Sequence, residues 1–370
     1  MDVEALTREL VAIPSHEDET AAGDAIENWL RAETDATVSR DDHGNVFARR
    51  GATDGTAPSL ALVGHHDVVP PDDPQVTDGG EYVIEQRDGR LYGRGTADMK
   101  GAVAAAMFAF RDADLVSGAD GGPSVELVFA SFVGEELGGE GARAAIDDGF
   151  APDYAVVGEG STGYSAPGAT DVAIAHKGRR GSTIVAEGTT THASLVEQGE
   201  NAIYRATDAV DLVREFDDPA TEVLGHEVVG SVAVTEIDGG SAWNVIPDHC
   251  EATVDERTVP GERVDFSRVE AIEGVSVRID QDLPPMACED AAFADLALDA
   301  AAAVQDGDPA HVVKPHASDA GWLAGAGTTC VVCGPAEEGE AHTADESVSV
   351  AVLERCERLY RETAERFARR

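Results

Sequence analysis

Lysine is nearly absent from this chain. It occurs only at Lys100, Lys177 and Lys314; Lys and Arg together number 27 against 71 Asp and Glu, a formal net charge of -44 over 370 residues. Such a surface repels phosphate backbones and anionic headgroups, which argues against nucleic acid and membranes as partners. It also repels itself, so the compact state is expected to need screening by salt, and a halophilic host is predicted. Long apolar runs are missing too. No stretch approaches the ~20 residues that a bilayer-spanning helix requires. The first ten residues, MDVEALTREL, carry charge from the second position, so no signal peptide and a cytoplasmic location are predicted. Cysteine is sparse and odd in number: Cys250, Cys288, Cys330, Cys333 and Cys356. That excludes a disulfide framework. The CxxC spacing at 330–333 has no second copy and lies in TTCVVCG, a buried-strand pattern, so small apolar packing is favoured over metal or redox use.

What is present suffices for two domains: 370 residues at 42% hydrophobic content. The first 160 residues alternate helix and strand patterns. Helices are predicted near 2–11, 18–32, 97–113 and 139–148, and strands near 36–40, 45–50, 59–64, 125–133 and 154–158. VELVFASFV, 125–133, reads as a strand buried on both faces of a parallel sheet. From about 173 the pattern changes to strand, strand, helix, strand, strand, helix, strand, which fits a small antiparallel sheet with two helices on one face. The α/β pattern then resumes with a helix near 290–304, a strand near 328–333 and a last helix near 347–367. The predicted fold is α/β: an α/β/α catalytic domain of residues 1–172 and 283–370, with an inserted α+β lid of residues 173–282.

Acidic pairs carry little information here, since chance alone gives about fourteen. The 11 histidines carry more. The stretch ALVGHHDVVPPDDP, 61–74, runs a buried strand into His65-His66-Asp67. Asp98 lies in GRGTADMKG at a helix start, Glu135 and Glu136 follow the strand at 125–133, Glu159 follows that at 154–158, and His342 follows that at 328–333. In an α/β sheet, ligands gather at the carboxyl ends of strands. Imidazoles and carboxylates from five segments suit two divalent metals, zinc first and cobalt as an alternative. Asp98 can bridge, Asp67 can orient His65, and the Glu135-Glu136 pair can supply a ligand and a general base. A closed structural zinc site is disfavoured, because such sites are thiolate-rich and no cysteine falls here.

GHHDVVP, GRGTADMKG, the Glu135-Glu136 pair, GEG around Glu159 and GPAEEGEAHTADE resemble, in order and over essentially the whole chain, the two-zinc aminoacylase/carboxypeptidase family, which includes desuccinylases and deacetylases of amino-acid precursors. The resemblance implies that His65 and Glu159 hold one metal, that Glu136 and His342 hold the other, and that Asp98 bridges them with a cis peptide to Met99. It implies that Glu135 is the general base and that Asp67 orients His65. It also implies a homodimer formed through the lid, whose His192, in THASLVEQGENAI, stabilises the oxyanion in the partner's site. Asn244 and Arg257, in the segment resembling GGxxxNxIPD…R, become candidate carboxylate binders. KGRRGS, 177–182, resembles the NGRRGS segment of succinyl-diaminopimelate desuccinylases and points to Arg179 and Ser182 as substrate-binding. The C-terminal part departs from that group: PHASDAG stands where GGTSD is usual, and AHTADE, in place of IHxxNE, resembles acetylornithine deacetylase instead. The expected reaction is hydrolysis of a small N-acyl amino acid, N-succinyl-diaminopimelate before acetylornithine, with a broader aminoacylase or dipeptidase third. A binding protein that had lost catalysis would lack the general base, and Glu135 is present. His66, Arg94 and Lys100 are read as local packing and loop structure.

Overall fold

A computed structural model describes residues 1–116 and 124–370. The chain divides into two compact units, one of Met1–Ala175, Ala287–Lys314 and Ser318–Arg370, the other of His176–Met286 and Pro315–Ala317.

The first unit is built on a mixed sheet. Four strands at its centre run parallel, in the spatial order Glu126–Phe132, Ser59–His65, Tyr154–Val157 and Thr329–Val332. Their residues are almost all buried, as strands covered by helices on both faces must be. Antiparallel strands flank them: Val46–Gly51 and Thr37–Arg40 on one side, Val172–His176 on the other. The helix Lys100–Asp112 is buried through Phe110, because alanine and glycine let its neighbours approach. A Cβ on Gly101 would lie 2.8 Å from Leu353 of the last helix, Val350–Ala368.

Two sequence readings shift. The helix foreseen from 97 starts at Lys100, since Gly93 and Gly95 hold positive φ and the chain turns there. The helix foreseen from 347 starts at Val350, because Ser347–Ser349 pairs as a strand with Arg90–Tyr92. Those strands are three residues long and lack a hydrophobic period, so the segment before residue 90 reads as loop.

The second unit is a four-stranded antiparallel sheet in the order Ser231–Gly239, His249–Arg257, Arg179–Glu187, Val275–Leu283. One face, carrying Ile184, Ala186, Cys250, Ala252 and Val254, packs with residues of the helices Ala202–Val213 and Ser267–Glu270. The other face alternates out of the core, as period-two patterning requires.

Candidate metal centre and active site

The parallel strands end on one edge and deliver their polar residues there. Ser59–His65 carries His65 as its last residue. Glu135 follows Gly134, whose φ of 60° turns the chain at the end of the neighbouring strand. Gly64 and Gly158 precede His65 and Glu159. A Cβ on Gly64 would meet Val103 at 2.9 Å and Met99 at 3.0 Å, and one on Gly158 would meet Met99 at 2.9 Å. The Met99 side chain thus lies against both strand ends, and the peptide bond from Asp98 to Met99 is cis. His342 occupies a turn at φ 61°, a region costly to most L-residues but visited by His.

Two groupings share the Asp98 carboxylate. His65 Nε2 lies 3.0 Å from Asp98 Oδ1 and 3.4 Å from Glu159 Oε1. His342 Nε2 lies 3.2 Å from Asp98 Oδ2 and 2.9 Å from Glu136 Oε1. One carboxylate oxygen therefore faces each imidazole, the disposition of a bridging ligand. Asp67 contacts a member of each group. Its carbonyl accepts the His65 Nδ1–H at 3.0 Å, leaving Nε2 for a metal, and its Oδ2 accepts the Glu136 N–H at 3.0 Å. The hydrogen bond to the imidazole goes to the Asp67 backbone, with the carboxylate Oδ1 3.2 Å away.

The charges explain why a cation belongs here. Hydrogen bonds that the His342 imidazole donates to Asp98 and Glu136 push it up to about 10. Burial raises Glu135 well above the usual carboxylate range, and the charges of Asp319, Glu159 and Asp98 add to it against His65. Burial likewise raises Glu136. Carboxylates crowded in low dielectric must hold protons or gather cations. Imidazole and carboxylate donors of this kind fit zinc-like divalent ions. His65, Asp98 and Glu136, and likewise His65, Glu135 and Glu159, present ligand atoms within 4.8 Å of one another.

Asp319 escapes the sequence reading, although it lies in the PHASDAG stretch already singled out. It is 3% exposed, and its Oδ1 has no hydrogen-bond partner. Burial and the charges of Asp67, Glu159 and Glu136, opposed by His65, push it up to about 8. An acid whose folded pKa is raised supplies stability below its unfolded pKa and loses it as pH rises through the folded value. In metal-free protein, stability tied to Asp319 therefore falls between about pH 4 and 8. Asp319→Asn is expected to raise the melting temperature of metal-free protein by at least about 3 °C at pH 8, with the gain shrinking towards pH 4. Thermal scans across that range check it; a gain equal at both ends would mean the proton is not the cause.

In the second unit, His192 and Asn244 come together. The strand Thr191–His192 pairs with Val245–Ile246, and the Ala193 N–H donates to the Asn244 carbonyl at 2.9 Å. Arg179 and Arg257 also meet: Asp255 accepts from Arg179 Nε and Arg257 Nε, each at 2.7 Å. Burial alone would raise Asp255, but the two guanidinium groups hold it below the usual range. Ser182 does not join them. Strand periodicity puts it opposite Val254, on the helix-covered face, 1% exposed and with an unpartnered hydroxyl. Arg179 and Ser182, both read as substrate-binding, thus lie on opposite faces, since three residues along a strand reverse the face.

Three polar residues read as structural have structural partners. His66 Nδ1 meets Ser131 Oγ at 2.8 Å, and burial draws its pKa down to about 3. Lys100 Nζ donates to the carbonyls of Leu10 and Ile13 at the end of the first helix. Arg94 pairs with Glu346 at 2.6 Å.

Residues 61–366 match the model of peptidase family M20/M25/M40. A succinyl-diaminopimelate desuccinylase of Xanthomonas oryzae pv. oryzae is 30% identical over 369 residues, covering 94% of this chain and 91% of the relative. Among solved structures, aminopeptidase PepT of Bacillus cereus superposes with a TM-score of 0.76 at 20% identity, over 99% of this chain and 98% of that one. A dinuclear metal-binding M20 peptidase of Bacillus subtilis does so with a TM-score of 0.69 at 15% identity, over 98% and 96%. No helix among the described residues is long and apolar enough to cross a membrane. The chain belongs to peptidase family M20/M25/M40 and is a metal-dependent hydrolase of amide bonds.

Proposed function

We propose that this enzyme removes the acyl group from a small N-acyl amino acid rich in carboxylates, with N-succinyl-diaminopimelate as the best candidate. The observation that carries the reading is the Arg179–Asp255–Arg257 arrangement. Asp255 fixes two guanidinium groups on one sheet face, and arginine grips carboxylates by paired hydrogen bonds. The 30% identical desuccinylase supports it. His65 and Glu159 would hold one zinc and Glu136 and His342 the other, with Asp98 between them and cobalt as a working substitute. Such ions, when bound, supply Lewis acidity and lower the pKa of water. Glu135 takes a proton from the attacking water and passes it to the leaving amine nitrogen as the C–N bond breaks, which releases the carboxylic acid and the amine. His192 donates to the developing oxyanion, acting from the lid of a partner subunit in a homodimer, and Asn244 helps seat the substrate. The expected location is the cytoplasm.

A second reading, acetylornithine deacetylase, is favoured by CGPAEEGEAHTADE, while PHASDAG departs from the desuccinylase pattern. The two are separated by measuring hydrolysis of N-succinyl-diaminopimelate and N-acetylornithine in molar KCl with zinc or cobalt. A kcat/KM at least about tenfold higher for the succinyl compound, worth roughly 1.4 kcal/mol, is expected. The reverse preference would assign the deacetylase reaction.

A further inference from the structure

The loop that presents Asp98 is fastened by one buried carboxylate far along the chain. Glu346 Oε1 accepts the backbone N–H groups of Ala97 at 3.0 Å and Asp98 at 3.2 Å. Its Oε2 accepts from Arg94 Nη1 at 2.6 Å. Its backbone carbonyl accepts the Gly93 N–H at 3.0 Å. Glu346 is 1% exposed and Arg94 2%. Each end of the loop that runs from Gly93 to Asp98 is thus tied to a single residue.

That residue also holds the second metal-ligand segment. Glu346 stands four positions after His342, and its N–H donates to the Thr343 carbonyl at 3.2 Å within the same turn. The Thr343 carbonyl is held in addition by Gln75 Nε2 at 3.0 Å. Just beyond, Ser347 pairs with Tyr92, so the two segments run side by side up to the site.

We propose that Glu346 is a positioning residue for the metal centre: through the Ala97 and Asp98 amides and through Arg94, it sets the Asp98 carboxylate and the His342 turn in one register. A carboxylate accepting two amide N–H groups and a guanidinium N–H makes strong, directional hydrogen bonds. A purely structural ion pair needs only Arg94 as partner. The two amide bonds, one of them to the residue that faces both imidazoles, give Glu346 its role towards the metals. Hydrogen bonds behind metal ligands are typically worth about 10–100-fold in metal affinity.

The inference rests on Asp98 being a ligand of both metals, and the test keeps the two apart. Zinc affinity of metal-free protein is measured by chelator competition in molar KCl, together with the visible spectrum of the cobalt-loaded protein and the melting temperature. Arg94→Met with Glu346→Gln removes both charges yet leaves an amide oxygen to accept the N–H groups; affinity within about tenfold of the parent is expected. Arg94→Met with Glu346→Leu removes the acceptor as well; a fall of at least about tenfold with an altered cobalt spectrum is expected. A folded leucine variant with parental zinc affinity and spectrum would overturn the proposal. If that variant does not fold, Glu346→Asp decides, because the shorter side chain withdraws the acceptor while keeping the charge. Weakened zinc binding then supports the proposal, and unchanged binding overturns it. Asp98→Asn is run in parallel: if it keeps both metals, the ligand assignment has failed, not the role of Glu346.

Discussion

Glu135→Gln is expected to lower kcat by about 10³–10⁴-fold, roughly 4–5.5 kcal/mol of barrier, while the protein keeps two equivalents of metal. The argument begins with two adjacent glutamates of opposite disposition. Glu136 meets His342 Nε2 at 2.9 Å and has its N–H held by Asp67, so it stands within one of the two groupings. Glu135 makes no such contact with either imidazole among the described bonds. It is buried, and in the metal-free protein that burial holds its carboxyl well above the usual range; raised basicity suits a group that takes and returns a proton. Glutamine keeps the shape and removes the basicity. Glu136→Gln is the control and is expected to lose metal. The competing geometry is also definite, since His65, Glu135 and Glu159 lie close enough to share an ion. Metal analysis chooses between them: loss of one equivalent from Glu135→Gln would make Glu135 a ligand.

The parts of the site legible in the sequence are those that local patterning delivers. A buried strand that ends in a histidine or a glutamate announces where that side chain emerges, and His65, Glu135 and Glu159 follow strands that read clearly. The partners of Asp255 and of Glu346, the last residue of the AHTADE motif, were not legible in the sequence. Among 71 acidic residues Asp255 does not stand out, and the motif alone gives Glu346 no role; their significance comes from partners tens to hundreds of positions away, Arg179 in one case and Ala97, Asp98 and Arg94 in the other. The face that Ser182 occupies was hidden for a different reason. A motif places residues in order along the chain, whereas a strand assigns them to faces, and an odd separation from Arg179 sends the hydroxyl to the helix side. The short strands near residues 85–92 were missed because their pairing with Ser347–Ser349 is non-local and carries no period of its own.

Transfer from 2 M to about 0.05 M KCl is expected to lower the melting temperature of the metal-loaded enzyme by at least about 10 °C, or to unfold it outright. Two like charges 10 Å apart in a water-like dielectric repel by about 0.4 kcal/mol before screening. With a Debye length near 30 Å at 0.01 M salt, about 0.3 kcal/mol survives; with one near 3 Å at 1 M, about 0.01 kcal/mol does. The excess of acids over bases is 44. One such neighbour for each excess charge makes 22 pairs and sums to on the order of 7 kcal/mol at the lowest salt, comparable to the whole stability of an ordinary domain. The unfolded chain retains part of that repulsion, so several kcal/mol is the net effect. The basic groups cannot offset it. Most of the arginines near acids already serve as partners, as in the Arg40–Asp24, Arg90–Glu340 and Arg94–Glu346 pairs. Screening and solute exclusion are separable, because sucrose strengthens burial without ions. A series in KCl and a matched series in sucrose at low salt test the cause. Rescue by KCl and not by sucrose identifies charge repulsion; a melting temperature that moves by less than about 3 °C across the KCl series would remove the argument for a salt-rich working environment.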